Sequence, residues 1–366
     1  MGRNVRQTEL GVIAKLENCL SEEDIERKTS YRRNIFFDPL TYNVIEKTKC
    51  LFQNDVMGTP LFLVEYDMKR YILIRDEDFV EKFFESEDEI ISNELVNGFN
   101  IISICEGFLQ VSNTRSSIEM LDAFFAWQED MKFKCDEIMP FFETMRIFSI
   151  GNLPIVLECT EDVDRVSGLI SCGKKIAKQE NILFYENLHN LILLESSRGI
   201  IDLINNIFMT TSPKLIFLQL YRMLEYLYVI NKSEKLSEKY GVSIQTLVGL
   251  LNDEKIKFAE HSQIYCLLEE HASHVYISNY IDYFKEKMNY EGKEEKEVEK
   301  VSRYIYETRC KIAHYKYAQE KIEDESYLMD SILILMKLVT SVFTSIDTSV
   351  RAVNMHFETW ELIDEI

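Results

Sequence analysis

The stretch YIYETRCKIAHYKY, residues 304–317, sets a helix-period run of apolar side chains beside an arginine, a lysine and a histidine. From Val298 and Val301 just upstream through Ile305, Thr308 and Ile312 within it, side chains recur at intervals of three and four, the spacing of one helix face. Arg309 and His314 are five residues apart, which on a regular helix is roughly 140° of rotation and about 7.5 Å of rise, so they do not share a face. Tyr306 and Cys310 do stack, with Ala313 or His314 next and then Tyr317. Two copies of this helix facing each other across a two-fold axis would bring both Arg–His pairs into one cleft.

Outward from this segment the chain reads as helices. SPKLIFLQLYRMLEYLYVINKS, residues 212–233, opens with Ser212 as N-cap and Pro213 in the first turn, and carries Phe217, Leu220, Leu224 and Leu227 as a stripe. A short helix follows Ser243, and a long one is expected across residues 261–289. DESYLMDSILILMKLVTSVFTSI, residues 324–346, is apolar on most sides, which predicts a helix central to a bundle or a subunit interface. No proline occurs after Pro213, and only Gly241, Gly249 and Gly292 fall beyond residue 200.

The earlier part has a different texture. TPLFLVEYDMKRYILIRD, residues 59–76, predicts a hairpin turning at Asp67–Arg70. Residues 99–113, 146–160 and 181–196 are further strand candidates, with helices expected over 77–95 and 116–138. The expectation is an α+β chain: a mixed sensing or interaction domain over residues 1–200, then an all-helical domain over 201–366.

Composition narrows the function classes. With 366 residues, 46% hydrophobic and 12% aromatic, the chain can bury a substantial core. No run nears eighteen consecutive apolar residues, so no transmembrane helix is expected. Glu9 and Glu17 interrupt any signal-peptide core, and Arg6 breaks the myristoylation pattern. Eight cysteines without a CxxC pair suggest reduced thiols and a cytoplasmic location. A net charge of −21 repels a nucleic-acid backbone, so any RNA role needs a local basic cleft, for which Arg303, Arg309, Lys311 and Lys316 are the candidates. Tyr304, Tyr306, Tyr315 and Tyr317 could stack bases there or simply pack. His271 and His274, with Glu270 adjacent, have a spacing a metal could use but no third ligand, and read as surface histidines. No P-loop, GxGxxG, kinase signature or serine-hydrolase elbow is present.

RCKIAH, an Arg-x-x-x-x-His in the penultimate helix, resembles the signature of HEPN domains. LYRMLEYLYVI, with Arg222 and Glu225 as an Arg-x-x-Glu helix, resembles the ApeA-like HEPN proteins of bacterial defence systems. The resemblance covers roughly residues 205–350. It implies a helical bundle that dimerises and cuts RNA without a metal or cofactor, with Arg309 and His314 catalytic and Cys310, Lys311, Glu225, Arg222 and Tyr306 in support. It also implies anti-phage defence or toxin-like growth arrest; the N-terminal domain, which the resemblance leaves unexplained, is expected to meet a regulatory protein or phage trigger. Families of this kind carry Asn, Asp or His directly after the arginine, where this chain has Cys310. Cysteine is a weak hydrogen-bond partner for an imidazole one turn away. The alternative expectation is therefore a catalytically silent dimerisation or adaptor module that binds a protein partner or ligand.

Overall fold

The computed structural model describes residues 4–18, 34–54, 60–75, 93–112, 132–149, 155, 157, 160–253, 260–284, 296–313 and 325–353. The chain is α+β, with strands before residue 150 and helices throughout the C-terminal part. Contacts divide it into two compact units between Ile170 and Ser171, inside helix α4 (Thr160–Ala177).

The N-terminal unit is organised by the expected hairpin. Strands β3 (Leu61–Tyr66) and β4 (Lys69–Arg75) pair antiparallel with Tyr66 opposite Lys69. The two-residue turn puts Asp67 and Met68 at φ 51° and 61°, the left-handed pair that matches strand twist. β2 (Lys49–Asn54) and β6 (Met145–Ser149) flank the hairpin in the order β2-β3-β4-β6. Leu61, Phe62, Leu63 and Val64, with Ile72, Leu73 and Ile74 opposite, are all fully buried, so both faces of the hairpin are covered. One face packs Phe62 and Tyr71 against Phe108 and Phe99, with ring centroids 5.5 and 5.2 Å apart. A separate parallel pair joins β1 (Asn34–Phe36) to β5 (Lys132–Lys134).

Three helices complete this unit's described core: α1 (Val5–Glu17), α2 (Pro39–Lys47) and α3 (Asn93–Cys105). Residues 99–113, expected as a strand, instead supply the second half of α3 and a turn leading to an isolated bridge at Val111. The run Phe99, Ile101, Ile102, Ile104 is apolar enough to suit a buried strand or a buried helix, and helix wins because Gly98 lets α3 cross closely over α2. Within the helix expected over 116–138, residues 132–134 form β5 and Cys135–Ile138 a single turn; residues 116–131 lie outside the described residues, as do 77–92 of the other expected helix.

In the C-terminal unit, α5 (Ile182–Leu193) replaces the strand expected over 181–196. Its buried Phe184, Leu188, Leu191 and Ile192 fall on one helical face, and Glu186, Asn187 and Asn190 break strict alternation. After α6 (Ile201–Phe208) comes α7 (Pro213–Tyr240), 28 residues long and ended by Gly241 at φ 68°. Ser212 occupies the N-cap position of α7, but its side chain makes no capping bond. Ser243 does cap α8 (Ile244–Asp253), where its Oγ accepts from Thr246 N–H at 3.2 Å.

The single helix expected over 261–289 is two helices, α9 (Glu260–His271) and α10 (His274–Phe284). They break at Ala272–Ser273, where Ser273 N–H donates to Ser341 Oγ at 3.0 Å and the Ser273 carbonyl accepts from Tyr276 N–H. The stretch that opens the sequence reading lies on α11 (Glu297–Ala313). It is followed by α12 (Glu325–Ser345) and α13 (Asp347–Val353). α12 packs against α5, α7, α9 and α10, the central position its composition predicts. Among the described residues one helix, Tyr327–Ser345 within α12, is long and apolar enough to cross a membrane, and half of that window is buried inside the protein.

The α2–α3 crossing is testable. A Cβ at position 98 would lie 2.3 Å from Val44 Cγ1, inside van der Waals contact, and Val44 is itself buried. Gly98→Ala is expected to destabilise the N-terminal unit by about 1–3 kcal/mol, the range for overpacking. Chemical denaturation should show a smaller penalty for the same change in a Val44→Ala background.

Candidate functional site

α11 lays Val298, Val301 and Ile305 into the bundle core, and the next turn carries Arg309. The Arg309 guanidinium sits over the ring of Tyr221 on α7, with Cζ 5.4 Å from the ring centroid. Tyr221 is 1% exposed, so the platform under the guanidinium is part of the core and fixes where the charge can sit. α7 and α11 pack together, and the Arg222-x-x-Glu225 segment is thereby brought beside the Arg309 helix. Glu225 lies one turn beyond Tyr221 on the same side of α7 and is half-buried; Arg222 is exposed. No ion pair joins Arg222 to Glu225 among the described residues.

The other predicted side chains are placed as follows. Cys310 is a half-buried free thiol and Lys311 is exposed. Tyr306 is half-buried against His261, ring centroids 6.1 Å apart. Tyr304 belongs to packing: it is 9% exposed and stacks on Phe284 at 5.1 Å, with Tyr280 edge-on at 5.9 Å. Arg303 pairs with Glu299 at 3.5 Å, which offsets part of the local positive charge. His314, Tyr315, Lys316 and Tyr317 lie outside the described residues.

A second polar centre gathers residues from four helices. His271 on α9, expected at the surface, is instead half-buried and hydrogen-bonded through both ring nitrogens. Nε2 is 3.1 Å from Asn231 Oδ1 on α7, and Nδ1 is 3.0 Å from Ser345 Oγ on α12. Asn231 Nδ2 donates to Glu270 Oε2 at 3.1 Å, which leaves Asn231 Oδ1 to accept from the imidazole. Lys235 holds both oxygens of Glu270 at 2.5 Å, and Ser349 on α13 donates to Glu234 at 2.5 Å. Every heteroatom of the neutral imidazole has a partner, so the centre ties helices together. His274 is exposed and takes no part. Among the described residues no group of three His, Cys, Asp or Glu side chains is placed to hold a metal.

Burial disfavours the thiolate of Cys135 and Cys172. Burial, with Asp136 and Asp38 nearby, pushes the Cys135 thiol up to about 12, and burial likewise raises Cys172. The sequence reading missed Tyr221, because a buried tyrosine in a helical stripe looks like any core residue. It missed the Asn231–His271 link because the two are far apart in the chain.

Comparison of the chain with protein-family models, curated proteins and solved structures finds no match.

The His271 centre predicts an acid response. Burial holds the imidazole below its ordinary range, opposed by the nearby Glu270 and Glu234 and assisted by Lys235. Burial lowers His189 on α5 in the same direction. A folded-state value below the unfolded one, about 6.5, means the unfolded chain binds more protons as pH falls. The stability contribution is therefore full above about pH 6.5 and is lost as pH drops through the folded value. Denaturation midpoints measured from pH 8 to 5 should fall once the pH drops below about 6.5, and His271→Gln should flatten the slope.

Proposed function

We propose that the chain is a metal-independent endoribonuclease of the HEPN type, acting in anti-phage defence or toxin-like growth arrest, with Arg309 and His314 from two protomers forming a composite site. The observation that carries this reading is the seating of Arg309 on Tyr221, which draws together the two motif segments of α7 and α11. Arg222 and Lys311 are exposed on those same helices, giving the local cation content that a chain of net charge −21 otherwise lacks.

The chemistry suits these residues. His314, as general base, takes the proton of a ribose 2′-hydroxyl, and the 2′-oxygen attacks the adjacent phosphorus. The phosphorus–O5′ bond breaks, and the 5′-oxygen receives the proton from the imidazolium. The products are a 2′,3′-cyclic phosphate and a 5′-hydroxyl end. Arg309, planar and permanently charged, offsets the charge that builds on the non-bridging oxygens. Anchoring it on a core ring limits the reorganisation needed as that charge develops.

One residue favours a second reading. Cys310 gives the imidazole a weak partner where the resemblance calls for Asn, Asp or His, as a silent HEPN-like adaptor would tolerate. The two readings separate in one assay on purified full-length protein with total RNA in EDTA. A nuclease should cleave, with Arg309→Ala and His314→Ala each losing roughly 10²–10³ in rate while circular dichroism shows the helical fold retained. Arg309→Lys should recover only part, since it restores the charge without the planar fork. Cleavage that persists undiminished in both alanine variants rules out the assignment. Absence of cleavage, together with partner binding that ignores salt, selects the adaptor.

A further inference from the structure

The N-terminal unit contains a cavity of about 480 Å³ between α1, the end of β1 and α2. That volume falls in the range of small-molecule sites, roughly 300–1,000 Å³. Its polar groups are few and specific. Arg6 on α1 is exposed, and its guanidinium makes no ion pair or hydrogen bond among the described residues. Glu9, one turn along the same helix, is held in place because its Oε1 accepts the Ile35 N–H at 2.6 Å. Its Oε2 has no partner among the described residues. The remaining lining is aliphatic at Val5 and Ile35 and aromatic at Phe36, Phe37 and Tyr42. Phe37 packs against the core and is fixed, whereas Phe36 and Tyr42 are 60% and 47% exposed. Large rings left open around a cavity, beside an exposed cation and an anchored carboxylate, have the composition of a small-molecule site.

We propose that this cavity binds a mononucleotide whose base carries an exocyclic amino group, adenine in the first instance. The rings of Phe36 and Tyr42 supply faces for a planar base, the sequence-tolerant part of such sites. Arg6 matches a terminal phosphate with its planar fork. Glu9 Oε2 accepts from the amine. Guanine fits less well: its paired N–H donors need both oxygens of a carboxylate, and Ile35 already engages one. The global charge of −21 also selects the size of the ligand, since one guanidinium can match a single phosphate but not a long polyanion. This site lies in the N-terminal unit and stands independently of the ribonuclease reading.

Isothermal titration of the full-length protein with AMP, adenosine and GMP tests the assignment. AMP is expected to bind, with adenosine and GMP each weaker by about tenfold or more, the worth of one charge-assisted hydrogen bond. Arg6→Ala and Phe36→Ala each change an exposed side chain, so circular dichroism and melting should be unaltered while AMP affinity falls by about tenfold. Glu9→Gln keeps an oxygen for Ile35 but replaces the other with an amide donor, and should erase the preference for AMP over GMP. The proposal is overturned if AMP gives no binding heat at about 1 mM. It is equally overturned if AMP binds but neither Arg6→Ala nor Phe36→Ala weakens it.

Discussion

Helix α12 is apolar nearly all the way round, and no single neighbour can cover such a surface. Ile332, Leu335, Met336, Leu338, Val339, Val342 and Phe343 are all fully buried, which requires helices on several sides at once. α5, α7, α9 and α10 meet that requirement. The polar atoms that α12 does carry are then placed at its contacts: Ser341 against the α9–α10 break, Ser345 against His271, and Ser331 against the hydroxyl of Tyr280. Burial supplies the driving force, and these few hydrogen bonds select one register among the ways five helices could pack. With α7 fixed against α12, the ring of Tyr221 is fixed too, and with it the position of Arg309.

The N-terminal unit solves the covering problem differently. A hairpin buried on both faces needs flanking strands at its edges and side chains above and below. β2 and β6 supply the edges, and α3 covers one face through Phe99 while Gly98 lets it lie close against α2. β1 and β5 stand apart from that sheet as a short pair, and a side-chain carboxylate, that of Glu9, meets the Ile35 N–H. A side chain filling a main-chain role holds that carboxylate rigid.

Where local pattern and tertiary demand agreed, the sequence was readable. The hairpin at 61–75 is two β-rich runs around a polar turn, and Ser212–Pro213 mark the start of α7. α3 and α5 were misread as strands because their cores are near-continuous apolar runs, whose period is ambiguous until a partner surface is known. The break at Ala272–Ser273 carries no glycine or proline; Ser341, distant in the chain, stabilises it. The candidate site was legible in part. Arg309, Glu225 and Arg222 were visible as a motif, whereas Tyr221 acquires its role only when α11 lies across α7. Cavity residues drawn from positions 6 to 42 share no spacing that a linear reading could detect.

α7 carries Tyr221 under Arg309 at one end and Asn231, Glu234 and Lys235 in the His271 centre at the other. Each residue added to or removed from a helix turns everything beyond it by about 100°. An insertion between Tyr221 and Asn231 would leave every side chain chemically intact yet swing one of the two assemblies away from its partners. Over evolutionary time this segment can therefore exchange residues on its exposed face but cannot change in length.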